Sequence, residues 1–552
     1  MAYSQYNMWL QDGGKTPPPV NTNINERILN HWDNIEGHVE RGYSGRSLFF
    51  DKGNISYDKK RIRDYARFLS SIGVNRVCCN NVNVTPRAAQ MITDELLPDV
   101  KQLADIFREF GILFIIAVDF TSARLLGGLN SYDPLDPDVI KWWENAAKKV
   151  YSYIPDLAGF LVKADSEFLD GPAALGRTQA DGANVIARAL KPFSGKVYWR
   201  CFVYNCMQDW RDIKTDRPKA AYDHFYPLDG KFDDNVILQV KHGPSDFQVR
   251  EPNSPLLGAM KNTNQAIELQ VTQEYTGQQI DLYALAVQWE EIFATPVSDS
   301  KTMCDLMGNE VTAIVAVANT GLDMNWTGHT LAQANLYSFG RMACNPSLTA
   351  SDVLKEWISL TFGDNPTLNK ALLEMLLMSR ATYEKYTSPL GLGWMVNISH
   401  HYGPSPEGYE FMKWGTYHRA TNKAIGVDRT KNGTNYTGQY HCYLEALYSN
   451  PDTCPENLLL YFHRLPYNYK LIDGRTLLQF IYDTHFEGAE DVEGFIEKWN
   501  ELKDLLPADA YTSVADRLNK QLENAKEWRD VVNTYFYRIT GIADEKGRTI
   551  YD

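Results

Sequence analysis

Eight short strand-like runs, separated by helix-favouring stretches, constrain this chain more than any other feature. They lie at Arg46–Phe50, Val74–Asn80, Ile112–Asp119, Gly159–Asp165, Lys196–Val203, Asn235–His242, Ala266–Glu274 and Val311–Asn319. A parallel strand buried on both faces reads as an unbroken apolar run, not as an alternation. The clearest intervening helical segments are Tyr57–Ser71, Ala88–Phe110, Asp138–Tyr153, Gln179–Leu190 and Gln278–Ala294. The segment Val203–Asn235 is less regular, and Pro252–Ala259 leaves room only for a short helix. Eight such units over about 270 residues predict an α/β chain closed into a (β/α)8 TIM barrel. The competing open, doubly wound sheet is disfavoured by the count of eight and by the lack of a GxGxxG turn.

The barrel is assigned to residues 29–347, after an N-terminal arm or linker (1–28) that carries GGKTPPPVNTN. From 348 to 552 the pattern turns helical, over Ser351–Thr361, Leu368–Tyr386, Leu477–Leu505 and Ala508–Tyr537. The loop-rich stretch Thr387–Cys454 between them is expected to return to the barrel mouth.

A net charge of −14 argues against nucleic acid or an anionic membrane as partner. No apolar run approaches ~18 residues, so no spanning helix is expected. The start, MAYSQYNMWLQDGG, lacks the basic and apolar regions of a secretory signal. Eight scattered cysteines, several inside apolar runs, suit free thiols in a reducing compartment, and the chain is expected to be cytoplasmic. A signal on a longer N-terminus would change that. Without CxxC or HExxH, and with His400–His401 lacking a third ligand at zinc spacing, neither a metal nor another cofactor is expected.

In a barrel the carboxyl ends of the strands open onto one mouth, where the chemistry sits. Those ends carry Asn80, Asn81 and Asn83, then Asp119, then Lys163, Asp165 and Glu167, then Arg200. Lys241 and Asp246, Gln273 and Glu274, and Asn319 complete the ring. Three cations from successive strands (Lys163, Arg200, Lys241) in so acidic a chain read as a clamp on an anionic ligand, against the plainer reading of pairs with Asp165 or Asp246. The opposed carboxylates suit glycosidic cleavage, which needs one protonated carboxyl and one ionised carboxylate. Glu167 beside two cations should ionise unless burial or the field of Asp165 raises it.

Ordered blocks then make a resemblance plain. HWDNIEGHVERGYSGRSLFF (31–50), SIGVNRVCCNNVNV (71–84), GFLVKADSE (159–167), WRCFVYNCMQDWRD (199–212), FDDNVILQVKHGPSDFQVREP (232–252), LQVTQEYTGQQ (269–279), NWTGHTLAQANLYSFGR (325–341) and SPLGLGWMVNISHHYGP (388–404) are among them. The chain resembles family 67 glycoside hydrolases, the xylan α-1,2-glucuronidases. The resemblance implies inverting hydrolysis that removes (4-O-methyl-)glucuronic acid from the terminal xylose of short acidic xylo-oligosaccharides. It implies Glu167 of KADSE as general acid, and Asp246 of GPSDF with Glu274 of TQEYTG as the pair that activates water. Lys163, Arg200 and Lys241 become binders of the uronate carboxylate, and Trp32 and Trp414 become walls of the sugar site. A homodimer through the C-terminal helical region is implied as well. The family carries a β-rich domain ahead of the HWDN block where this chain has residues 1–28, and that difference is not expected to abolish the chemistry.

Two other readings keep the same residues. One is a retaining glycosidase with Glu274 as nucleophile, which carboxyl separation would distinguish: ~5–5.5 Å for retention, ~6.5–9.5 Å for inversion. The other is a non-catalytic uronate-binding protein. Under the clamp reading, Arg200→Ala is expected to weaken substrate binding and leave the fold intact.

Overall fold

The computed structural model describes residues 24–167, 169–202, 216–408 and 417–551. Eight parallel strands close into a barrel: β1 Glu26–His31, β2 Arg76–Cys78, β3 Leu113–Ala117, β4 Gly159–Val162, β5 Lys196–Arg200, β6 Val236–Lys241, β7 Asn264–Gln270 and β8 Val311–Ala318. Each pairs with its sequence neighbour, and β1 closes the ring by pairing with both β2 and β8. Strands such as β6 are buried at every residue, as a parallel sheet covered on both faces requires.

The first strand is not Arg46–Phe50. It is Glu26–His31, inside the stretch read as an arm and its border. ERILNH hides as a strand because four of its six residues are polar, yet Glu26, Arg27 and His31 all find partners in the closed barrel. Tyr198 donates to Glu26 at 2.7 Å, and Arg27 reaches the carbonyls of Gly73 and Ile24 at 2.6 Å. His31 bridges the Cys78 carbonyl and the Tyr65 hydroxyl at 2.8 Å each. The apolar run that mimicked a strand ends in a small hairpin, Phe50–Asp51 against Asn54–Ile55, turned by left-handed Lys52 and Gly53. Phe49 packs beside His31 and Tyr65 instead of joining the sheet.

Helix α1 (Lys59–Ile72) shows how local sequence sets the outer ring. Ile62, Tyr65, Ala66, Leu69 and Ile72 recur at helical spacing and are buried, Asp58 caps the Arg61 N–H, and Gly73 ends the helix at φ 98°. The helices α2 Leu97–Arg108, α3 Pro137–Tyr153 and α4 Gln179–Leu190 follow β2, β3 and β4. Two segments depart from expectation. Residues Pro252–Ala259 form turns. The helix expected from Gln278 starts only at Leu285 (α5 Leu285–Ala294), because Gln278 and Gln279 adopt left-handed φ of 50° and 62°.

After β8 come α6 Gln333–Cys344, α7 Ala350–Phe362, α8 Pro366–Thr387, α9 Leu477–Glu501 and α10 Ala508–Thr540. Thr349 caps α7, and Asn365 with Pro366 at the first helical position starts α8. Arg250, beyond β6, forks onto Glu384 of α8 at 2.8 and 2.5 Å and ties the barrel to the helical region.

Candidate active site

The ends of β4, β5 and β6 present Lys163, Arg200 and Lys241 toward one another. Lys163 is the residue next after β4, and the chain then turns through Asp165 and Glu167 at left-handed φ of 52° and 48°. Left-handed non-glycine residues are uncommon and cluster at functional sites. Phe247, Trp394 and His401 on neighbouring loops share the conformation. Asp165 is not part of the charged group: its carboxylate accepts from the Ala173 N–H at 3.0 Å and the Gln179 amide at 2.6 Å, which fastens the loop to α4.

Every cation of the expected clamp is paired. Lys163 contacts Glu167 and donates to Asn83 Oδ1 at 2.7 Å. Lys241 contacts Asp246. Arg200 forks onto Glu268, with Nε to Oε2 at 2.9 Å, and the two side chains are 3% and 0% exposed. Burial works against the Arg200 charge, but the Glu268 carboxylate outweighs it and keeps the guanidinium charged. The pair of Arg200 with Glu268 departs from the expected partners, whereas a cation at Glu167 and Lys241 with Asp246 agree with them.

The three expected acids sit in different environments. Burial pushes Glu167 up, the Lys163 ammonium overrides it, and the carboxyl is held below its ordinary range. Asp246 is pushed up by burial and driven far lower by Lys241 and Arg217. Its Oδ2 accepts from Arg217 at 2.8 Å and from the Tyr275 hydroxyl at 3.1 Å. Glu274 Oε1 accepts from Arg41 Nε at 3.1 Å and His401 Nδ1 at 2.8 Å, and Oε2 from Gln270 at 3.2 Å. His401 stacks on Tyr275 with centroids 4.7 Å apart, so the settings of Glu274 and Asp246 share a wall. Asp246 influences the charge of Glu167, which brings all three acids to one rim.

The loop that bears Asp246 is folded around a further acid. Glu251 accepts from the backbone N–H groups of Ser245 at 2.6 Å, Gln248 at 2.7 Å and Asp246 at 3.4 Å, and burial pushes it up to about 7. Trp32 is buried beside Phe247, Tyr275 and Val317, with Trp394 packed against the group. Trp414 lies outside the described residues. Asn80, Asp119, Gln273 and Asn319 hold loops: Asn80 spans to the Ala117 carbonyl at 2.9 Å, Asp119 caps Thr121 at 2.6 Å, Gln273 bonds the Thr276 carbonyl at 2.8 Å, and Asn319 accepts from Gln279 at 2.6 Å.

Arg41, Arg217, Glu268, Tyr275 and His401 were missed. Glu268 alone carried a signal: one charge in an otherwise uncharged buried strand, at an inward-alternating position, needs a partner across the barrel. The others sit on loops whose meeting point no local pattern encodes.

Two family models match the chain: the glycosyl hydrolase family 67 middle domain over residues 16–326 and the glycosyl hydrolase family 67 C-terminus over 327–549. The "Probable alpha-glucuronidase A" of Aspergillus fumigatus is 43% identical over 532 residues, covering 95% of this chain and 63% of that protein. The "Alpha-glucuronidase A" of Aspergillus tubingensis is 42% identical with the same coverages. That of Aspergillus clavatus, a "Probable alpha-glucuronidase A", is 42% identical over 556 residues, covering 99% and 66%. The chain therefore spans less than two thirds of the length of these relatives. Among solved structures, a GH138 enzyme targeting pectin rhamnogalacturonan II superposes at a TM-score of 0.50 with 12% identity, over 97% of this chain and 60% of that one, a likeness of fold.

Proposed function

The chain belongs to glycoside hydrolase family 67, and from that premise we propose that it is an α-glucuronidase. It removes α-1,2-linked (4-O-methyl-)glucuronic acid from the terminal xylose of short xylo-oligosaccharides in one inverting displacement. The observation that carries this reading is that three cations and three acids meet at one rim, Lys163 and Lys241 each touching one of the acids. Cations of that kind suit a uronate carboxylate. Glu167 donates a proton to the leaving glycosidic oxygen. Asp246, held ionised by two cations, orients the attacking water, and Glu274 takes its proton. Trp32 and its aromatic neighbours wall the sugar site.

Proton NMR during turnover of a 4-O-methylglucuronosyl xylo-oligosaccharide tests the proposal. β-Glucuronic acid should be released first. Release of the α anomer first would make the enzyme retaining, with Glu274 as nucleophile. Binding without turnover would make it a uronate-binding protein.

Two further properties belong to the proposal. The family resemblance supports a homodimer through the C-terminal helices, which a monomeric mass by light scattering would remove. Among the described residues seven cysteines are free and five of them buried, which supports a reducing, cytoplasmic setting. No helix among those residues is long and apolar enough to cross a membrane.

A further inference from the structure

Lys163 stands between a fixed partner and an open one. Asn83 holds its ammonium from the β2 loop at 2.7 Å, and Glu167 pairs with it from the mouth. The Lys163 side chain is 2% exposed and that of Glu167 34%, so an entering ligand meets this ion pair from the Glu167 side. Arg200 and Lys241 are engaged by Glu268 and Asp246, both buried. Among the described residues, Lys163 is therefore the clamp cation whose acidic partner is open to replacement.

We propose that Lys163 is a shared cation: the uronate carboxylate of the substrate takes it over from Glu167, and Glu167 then binds the proton it will donate. This inference rests on the α-glucuronidase reading and adds how the acid is armed.

The electrostatics run in that direction. The charges that act on Glu167 are Lys163 on its own loop, Asp246 and Lys241 from the β6 end and Arg200 at the β5 end, while Arg200 and Lys241 also act on Lys163. In the free protein Lys163 outweighs burial and keeps Glu167 ionised, unable to act as an acid. Once a bound carboxylate cancels the ammonium, the cations that still face Glu167 are Lys241 and Arg200, each already paired with Asp246 or Glu268, and burial and the Asp246 charge then favour the protonated carboxyl. The proton comes from solvent. It passes to the glycosidic oxygen as the bond to the anomeric carbon breaks, water adds to that carbon and loses a proton to Glu274, and Glu167 returns as a carboxylate. A neutral sugar in the same linkage would find Glu167 without a proton, so discrimination against it falls on turnover as well as on binding.

Calorimetric titration of D-glucuronate into the protein, in two buffers of different ionisation enthalpy at pH ~5.5, reads the proton directly. Binding should take up about one proton per site, because a group held low in the free form and released in the complex gains protons between the two values. Glu167→Gln should bind with no uptake, while Lys163→Met, which lacks the cation the uronate takes over, should bind more weakly and take up no proton at saturation. The methyl ester of glucuronate should cause no uptake in the parent. Binding without uptake by the parent, or undiminished uptake in Glu167→Gln, overturns the shared-cation inference and leaves the uronate reading standing. Failure of the parent to bind glucuronate overturns both.

Discussion

A charge with no exposed surface survives only beside its counter-charge, and Arg200 and Glu268 are such a pair. Removing one member of a buried pair leaves the other uncompensated, at about 3–5 kcal/mol. Arg200→Ala should therefore lower the urea midpoint as well as weaken uronate binding, contrary to the expectation that the fold stays intact. Adding Glu268→Gln should restore most of the stability without restoring binding. Arg200 was legible because a cation after a strand is conspicuous in so acidic a chain, whereas Glu268 was passed over inside an apolar run. Asp33 makes a second case. Fully buried beside Ser47, whose hydroxyl donates to it at 2.5 Å, it is pushed up by burial to about 8. An unfolded aspartate titrates near ~3.9, so the folded chain holds an extra proton between those values. The stability this provides is fully present below the unfolded value and is lost as pH rises through the folded one. Asp33→Asn should leave the thermal midpoint at pH 4 nearly unchanged and raise it at pH 8, and thermal melts across that range check the sign.

At the level of elements, seven of the eight barrel strands were legible because a parallel strand wrapped by helices has no polar face to break its apolar run. β1 escaped because its polar groups are paid for by partners on β2, β5 and α1, which only the closed barrel brings near. The β6–β7 connection shows a different limit. Its turns carry no periodicity, since the backbone donors of the Asp246 loop are spent on the Glu251 carboxylate instead of on a helix. Glu251→Gln turns an amide N–H toward those same donors. Loss of such a bond is worth ~1–3 kcal/mol, so kcat should fall about 10- to 100-fold with KM little changed, as Asp246 loses its fixed position. Steady-state kinetics beside an unchanged circular dichroism spectrum would check this.

Across the whole molecule, the division into barrel and helices followed from the change of period, but the way they lock together did not. Asp281, on the loop after Glu274, accepts from the Tyr402 hydroxyl at 2.9 Å, the Tyr386 hydroxyl of α8 at 2.9 Å and the Asn524 amide of α10 at 2.6 Å. Burial pushes this carboxyl up to about 6 against those three donors. Tyr402 adjoins His401, which holds Glu274, so α10 reaches the reacting centre through two short links. These residues are scattered over the second half of the chain, and nothing local announces that they meet. Asn524→Ala should therefore lower kcat severalfold and speed amide exchange across residues 394–404, which mass spectrometry would resolve. The order of synthesis gives this junction a temporal meaning. A ribosome makes the barrel before α10, so Asp281 waits while the more than two hundred intervening residues are made for a partner still to come. The mouth takes its working shape only once α10 has been made, and a polypeptide stopped short of Asn524 would carry every acid and cation of the rim without the brace that aims them.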